Sequence, residues 1–494
     1  MELKVKFLKW SAGLPVVMLN KKTALKLGVH TRGRIFIKTL SKYPKEISSI
    51  IDIIGGNSVK ENEILVSSEI RKRLNLRVKQ KVDVNISPEP KSLVFIKKKL
   101  NNKRLTKKEI TEIIKDIVNN FLSEPEIALF IAAMYKHGMT TKETIYLIKA
   151  ILKFGNMLKI KNKFIVDKHS IGGIPGNRTT PIVVSICSVA GLTFPKTSSR
   201  AITSEAGTVD VIETVAKVDF SVKELKKIIK KTNAFMVWGG SLGMVPADSK
   251  IIKIEKDLKI DPQSQLIASI MSKKFSVGSK YIIIDIPYGK GAKVNKKKAE
   301  ELKKKFIDIG KYFDKKVKVV LTEGNEPIGN GIGPALELID IIKILDPKQQ
   351  GPKDLEKKSV FLAGEIFKIT GKTKNNKGTE LAGKILKSGK AFEKFKQIIK
   401  AQGGNFKKIK QAKFKKDIFA RKSGKIKEIN NKKIISLARI LGCPVDKSSG
   451  IYLHLHNGEN VKKRQKILTL YSETKTRLAE AVRFYNEEKI IRIN

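Results

Sequence analysis

Residues 164–213 read FIVDKHSIGGIPGNRTTPIVVSICSVAGLTFPKTSSRAITSEAGTVDVIE and contain two turns suited to anions. The first follows the apolar run ending at Val166 and passes through Lys168, Ser170, Gly172 and Gly173. Thr180 and Pro181 are placed as cap and first position of the helix that it enters. Glycines let backbone N–H groups approach an anion, and a helix start adds partial positive charge. The second turn follows the extended run Leu192 to Pro195 and offers Lys196, Thr197, Ser198, Ser199, Arg200, Thr203 and Ser204, with Ala201 and Ile202 among them. It ends at Gly207 and Thr208 before another helix. Hydroxyls, a guanidinium and a helix start are what a bound phosphate requires. Either turn alone is equally an ordinary β/α connection, but two in succession argue for phosphate. Neither reads GxxxxGK[ST] or GxGxxG, which disfavours a nucleotide triphosphatase and a dinucleotide enzyme.

Around these turns, strands at 164–167, 192–196 and 234–237 alternate with helices at 181–190, 208–216 and 222–231. Ser221 and Glu224 form a capping box at the last of these helices. Such alternation predicts a largely parallel sheet with ligands at the carboxyl ends of its strands. A helix at 261–277 with Pro262 in its first turn and a buried strand YIIIDI at 281–286 extend the pattern. The glycine-containing turn PYGKGAK follows.

Upstream, Thr106 caps a helix TKKEITEIIKDIVNNFLS with apolar residues at helical spacing, and two more helices follow. Before it, LKVKF, RIFIKTL, EILVS and VDVNI alternate as strands do. They predict a small β-rich domain over 1–85, with SPEPKS at 87–92 as linker. Downstream, helices at 333–345 and 355–370 precede a lysine-rich region. From Ile418 short strands return, with a hairpin turn at Asn457-Gly458. The expected architecture is a multidomain α/β chain. It has a β-rich domain at 1–85, a helical domain at 100–160 with 246–277 returning to it, a mixed or parallel α/β phosphate-binding domain at 161–245 and 278–345, and a C-terminal α+β domain at 346–494.

Of 494 residues, 101 are Lys or Arg and 47 Asp or Glu, a formal net charge of +54. That field attracts nucleic acid, acidic lipid or anionic metabolites, and charge alone does not choose among them. The lysines are spread over every segment with few interleaved aromatics, which fits solvated faces better than a dedicated nucleic-acid stripe. Cys187 and Cys443 are the only cysteines, so neither a disulfide framework nor a cysteine metal cluster is expected. His454 and His456 share a strand face, but two ligands do not make a site, and no metal is expected. No run of about 18 uncharged apolar residues occurs, so a soluble, cytoplasmic protein is expected.

KHSIGG, KTSSRAITSEAGTVDVIE, ASIMSKK and DIPYGKGAK resemble the thymidine/pyrimidine-nucleoside phosphorylase family, and most of all its archaeal AMP phosphorylase branch. The resemblance is specific over 164–293 and looser over the rest. It implies phosphorolysis of an N-glycosidic bond, with inorganic phosphate as co-substrate, no cofactor, and a homodimer or larger homo-oligomer. It also implies an extra N-terminal domain, a nucleoside-facing helical domain and a C-terminal barrel-sandwich domain. The phosphate and nucleotide residues it implies are Lys168, Ser170, Gly172, Gly173, Ser198, Ser199, Arg200, Ala201, Ile202, Thr203, Ser204 and Thr208. Ser269, Lys273 and Lys293 would hold the nucleoside and its 5′-phosphate.

Asp261 matches the branch's proton donor to the departing base. An Asp-Pro pair is also a common helix start, and capping bonds hold a carboxylate charged, so both readings stand. Two departures from the nucleoside enzymes bear on substrate. Ile254 stands where they place the arginine that anchors a pyrimidine, and Ser199, Ala201, Thr203 and Ser204 replace their glycines and histidine. The expected substrate is AMP, with CMP and UMP as further candidates and ribose 1,5-bisphosphate as product. A pyrimidine-nucleoside phosphorylase and an RNA-binding protein are the alternatives.

Overall fold

The structure, a computed structural model, describes the chain except residues 9–14, 57, 202–203, 241–242, 375–376 and 411, and the side chain of Lys408. It forms two compact units. One comprises Met1–Phe154 and Pro246–Gln265, the other Gly155–Val245 and Leu266–Asn494.

In the first unit, six strands close a barrel in the order Glu2–Phe7, Glu63–Val66, Val16–Asn20, Glu46–Ile54, Arg34–Thr39, Lys81–Ile86. Period-two patterning decides which side faces in: Leu3 and Val5 are buried while Lys4 and Lys6 point out. Closure leaves no strand edge open to pairing with another chain. The short helices Lys21–Leu27 and Ser68–Leu74 accompany the barrel, and helices Ser92–Leu100, Lys107–Val118, Glu124–His137, Thr141–Lys153 and Pro246–Leu258 follow. Thr106 and Glu109 complete a capping box, and Ile110, Ile113, Ile114 and Ile117 form the buried stripe of the helix that it starts. Ile254, in the last of these helices, is buried.

The second unit is built on parallel strands. Lys316–Glu323, Tyr281–Tyr288 and Val166–Ser170 form one sheet, Phe194–Ser198 and Ala234–Trp238 another, and a parallel bridge from Ile165 to Thr193 joins them. The first strand in sequence therefore sits centrally, with the next strand on one side and the fourth on the other. That reversal is the place where open parallel sheets leave a crevice beyond the strand ends. Ser170 and Ser198 are the last residues of their strands, so both turns leave from this edge.

Several expectations change. Helix Thr179–Val189 begins one residue before Thr180, with Arg178 at the cap position. Thr180 is therefore not the cap, and Pro181 takes the third position, where its missing N–H still has no intrahelical acceptor to forgo. Helix Gln263–Ser276 begins after Asp261 and Pro262. Of the segment 246–277, only Pro246–Gln265 falls in the first unit. The later part of that helix belongs to the second, where Lys274 is tied to Asp167 at 2.9 Å.

Helices Lys353–Thr370, Lys377–Lys387 and Lys390–Ala401, read with the C-terminal region, bury Leu362, Phe367, Ile385, Phe395 and Ile398. They do so in the same core as Val166, Ile182 and Ile186, so the α/β core runs well past 345. Beyond it, two small antiparallel sheets and helices Asn431–Leu441 and Lys475–Glu487 share a separate core. Strand Gly450–Leu453 ends before His454 and His456, which bond to Thr469 at 2.9 Å and Glu326 at 3.3 Å. No helix among the described residues is long and apolar enough to cross a membrane.

Candidate anion-binding site

The first turn is shaped by its glycines. Gly172, Gly173 and Gly176 have φ of 81°, 93° and 69°, and a Cβ on Gly173 would come within 2.7 Å of Lys293 Cγ. This close approach brings Lys293, from the turn after Tyr281–Tyr288, against the first turn, and only a glycine permits it. Ser170 Oγ lies inside the loop, accepting from Gly172 N–H at 3.4 Å and Asn177 Nδ2 at 3.3 Å. Lys168 is buried, and its Nζ donates to Thr179 Oγ1 at 2.5 Å at the helix start. Burial pushes its ammonium down to about 7, against the opposing pull of Asp285.

Beneath the turn lie charges that reading the sequence passed over. Asp167 is fully buried between Lys274 at 2.9 Å and Lys196 at 3.3 Å. Lys196 is thus drawn into the sheet, where it also donates to Lys168 O at 2.7 Å, and it does not belong to the second turn's surface. Asp285 accepts from Thr322 at 2.6 Å and pairs with Lys358 at 3.2 Å. Burial alone would raise the Asp285 carboxyl, but Lys358 and Lys168 outweigh it and hold it below its usual range. Burial and the neighbouring lysines keep His169 well below its ordinary value, so it is neutral. The lysines here outnumber the carboxylates, and burial lowers the ammonium groups of Lys168, Lys196 and Lys274. A bound anion would compensate that surplus. The signal in the sequence was a charged residue inside an apolar strand run, as in IVDKH and YIIIDI, since buried carboxylates need partners.

The second turn is arranged differently. Ser198 and Ser199 stand at the strand end, and Thr208 opens the short helix Thr208–Ile212. Arg200 grips Glu213 with both terminal nitrogens, at 2.5 and 2.6 Å, and its guanidinium lies 5.3 Å from the Trp238 ring. Hydrogen bonds from Arg200 hold the Glu213 carboxyl down at about 2. Ala201 N–H and Gly207 N–H both donate to Asp210 Oδ2 at 2.8 Å, and Ser204 Oγ donates to Ala206 O at 2.9 Å. The Arg200 guanidinium, the Ala201 amide and the Ser204 hydroxyl thus each have a partner within the protein. Ile202 and Thr203 lie outside the described residues.

On helix Gln263–Ser276, Lys273 Nζ donates to Ser269 Oγ at 2.6 Å, one turn apart, and both are largely buried. Asp261, in the first unit, is exposed.

Three family domain models match. They are the helical bundle domain of the glycosyl transferase family at residues 94–155, its a/b domain at 162–392, and the pyrimidine nucleoside phosphorylase C-terminal domain at 425–492. The AMP phosphorylase of Methanococcoides burtonii is 39% identical over 492 residues, covering 99% of this chain and 96% of its own. That of Thermococcus sibiricus is 40% identical over 488 residues, covering 98% and 96%. The chain belongs to the AMP phosphorylase family. A third AMP phosphorylase, from Thermococcus kodakarensis, is 39% identical and covers 100% of this chain and 98% of its own. Among solved structures, anthranilate phosphoribosyltransferase from Thermus thermophilus superposes with a TM-score of 0.52 at 16% identity. It covers 62% of this chain and 99% of that one, and shows a shared fold.

Proposed function

We propose that this chain is a pentosyltransferase that cleaves AMP with inorganic phosphate, giving adenine and ribose 1,5-bisphosphate. CMP and UMP are further candidate substrates, and no cofactor takes part. The observation that carries the reading is the family match along the whole chain. The surplus of buried lysines under a glycine-shaped turn supports it. In such a reaction positive charge develops at C1′ while phosphate attacks and the base departs, so the protein must place one anion and neutralise another group.

Lys168, Ser170 and the amides of Gly172 and Gly173 hold the attacking phosphate, with Ser198, Ser199 and Thr208. Ser269 and Lys273 hold the nucleoside. Lys293, packed against Gly173, serves the 5′-phosphate. Asp261 protonates the base. The enzyme works in the cytoplasm as a homo-oligomer. A buried apolar Ile254 supplies no pyrimidine anchor, which argues against a nucleoside enzyme. Each nucleotide and nucleoside, incubated with and without phosphate, tests the reading. AMP should exceed adenosine by more than about 10² in kcat/KM, because cations left without the 5′-phosphate go unpaired. Equal cleavage of adenosine or thymidine would overturn it. Asp261→Asn should lower turnover by about 10² to 10⁴. Near-normal turnover would remove the acid.

A further inference from the structure

Two reciprocal bonds tie the turns together. From the second turn, Glu205 Oε1 accepts from Gly176 N–H of the first at 3.0 Å. From the first, Arg178 Nη2 donates to Ala206 O of the second at 2.7 Å. Each turn thus uses one side chain to hold the other's backbone. The arginine is aimed by Glu337, which accepts from its Nε at 2.5 Å and through Oε1 from Gly333 N–H at 3.2 Å. Glu205 and Glu337 are both fully buried.

Only a glycine fits at 176, since a Cβ there would meet Ile328 O at 2.2 Å and its φ is 69°. Burial and the nearby Glu337 raise the Glu205 carboxyl to about 8 despite Arg178. Glu205 is then a neutral acid at neutral pH, and it braces the turns without placing a negative charge beside an incoming anion.

We infer that Glu205 is a positioning residue that, with Arg178, sets the separation of the two turns and so the affinity for the attacking phosphate. The inference rests on the phosphorylase reading. Small displacements of positioning groups are costly in enzymes, and here the cost falls on one substrate only.

The test uses the full chain, with AMP and inorganic phosphate varied independently and the melting temperature followed as phosphate is added. Glu205→Ala should raise the KM for phosphate by about tenfold or more, with KM for AMP and kcat within about threefold. Its phosphate-induced thermal shift should shrink in step. Glu205→Gln keeps the carbonyl acceptor and copies a neutral acid, so it should return the phosphate KM to within about threefold of the parent. A merely structural bond would lower the melting temperature of both variants without separating the two KM values. That result, or Gln behaving as Ala, overturns the inference. If Glu205→Ala does not fold, Arg178→Lys decides from the other side. It keeps the charge but loses the forked geometry, and an unchanged phosphate KM there overturns the inference equally. If the unaltered chain neither cleaves AMP nor responds to phosphate, both the reading and the inference fall. If it does both and Glu205→Ala keeps its phosphate KM, only the inference falls.

Discussion

The first turn carries Lys168, buried and bonded to the hydroxyl of Thr179, whereas the second carries Arg200, partly exposed and gripped by Glu213. The lysine has lost its water without gaining a carboxylate of its own. The arginine keeps water on one side and has a carboxylate on the other. Burying an ammonium costs several kcal/mol unless a partner compensates, while a half-exposed ion pair contributes about 0 to 1 kcal/mol. On the proposed reading, an incoming phosphate would gain more at the first turn than at the second. In that reading the second turn would present Ser198 and Ser199 from a loop bonded to Asp210 and Glu213.

The largest effect that would break this contrast is at Lys168. Lys168→Met should lower kcat/KM for phosphate by about 10- to 100-fold, the cost of one charged hydrogen bond of roughly 1.5 to 3 kcal/mol. Steady-state assays with phosphate varied measure it, and unchanged saturation would withdraw the turn from the site. Ser198→Ala removes a neutral donor at the other strand end and should cost about tenfold or less. If it cost more than Lys168→Met, the ranking of the two turns would be reversed.

A pH series sharpens the same contrast. With Lys168 at about 7, the lysine loses its charge as pH rises through neutrality. Phosphate's own ionisation affects parent and variant alike, so the ratio of their kcat/KM values isolates the lysine. The penalty of Lys168→Met should therefore shrink between about pH 6 and pH 9, because kcat/KM reports groups of the free enzyme. A constant ratio would mean that Lys168 does not titrate there. For stability the sign is set by the same lowering. Between the two values the unfolded chain holds the proton that the folded chain has released, so this lysine makes stability rise with pH above about 7.

The smallest effect is expected at the second turn's cation. Arg200→Ala should change kcat/KM for phosphate by less than about threefold and lower stability by about 1 kcal/mol or less. The Glu213 carboxyl, held at about 2, makes the pair's contribution present above the ordinary carboxylate range. It is lost as pH falls toward about 2, so the stability gap between parent and Arg200→Ala should close in acid. A tenfold loss of phosphate affinity in this variant would restore Arg200 to the phosphate.

Both turns, the parallel strands that carry them and the helical and β-rich regions before them were legible in the chain alone. Local chemistry specifies them: glycines where φ must be positive, Thr106 and Ser221 with a glutamate three residues on, and apolar residues at period two or at helical spacing. The residues that decide how the turns behave were not legible in the same way. Nothing local distinguishes Arg200, which Glu213 takes, from an arginine awaiting phosphate, nor marks Lys196 as turning inward to Asp167. Glu205 and Arg178 read as ordinary polar loop residues until Gly176 and Ala206 are brought opposite them. Whether a charged group serves a ligand or the protein itself depends on which partner reaches it first in three dimensions and on how much water remains around it. Both are set by the packing of segments far apart in sequence. The chain by itself determined which chemical groups line the sheet edge; only the tertiary structure decided which of them are buried and which are paired, because burial and pairing are properties of neighbours that the sequence does not place.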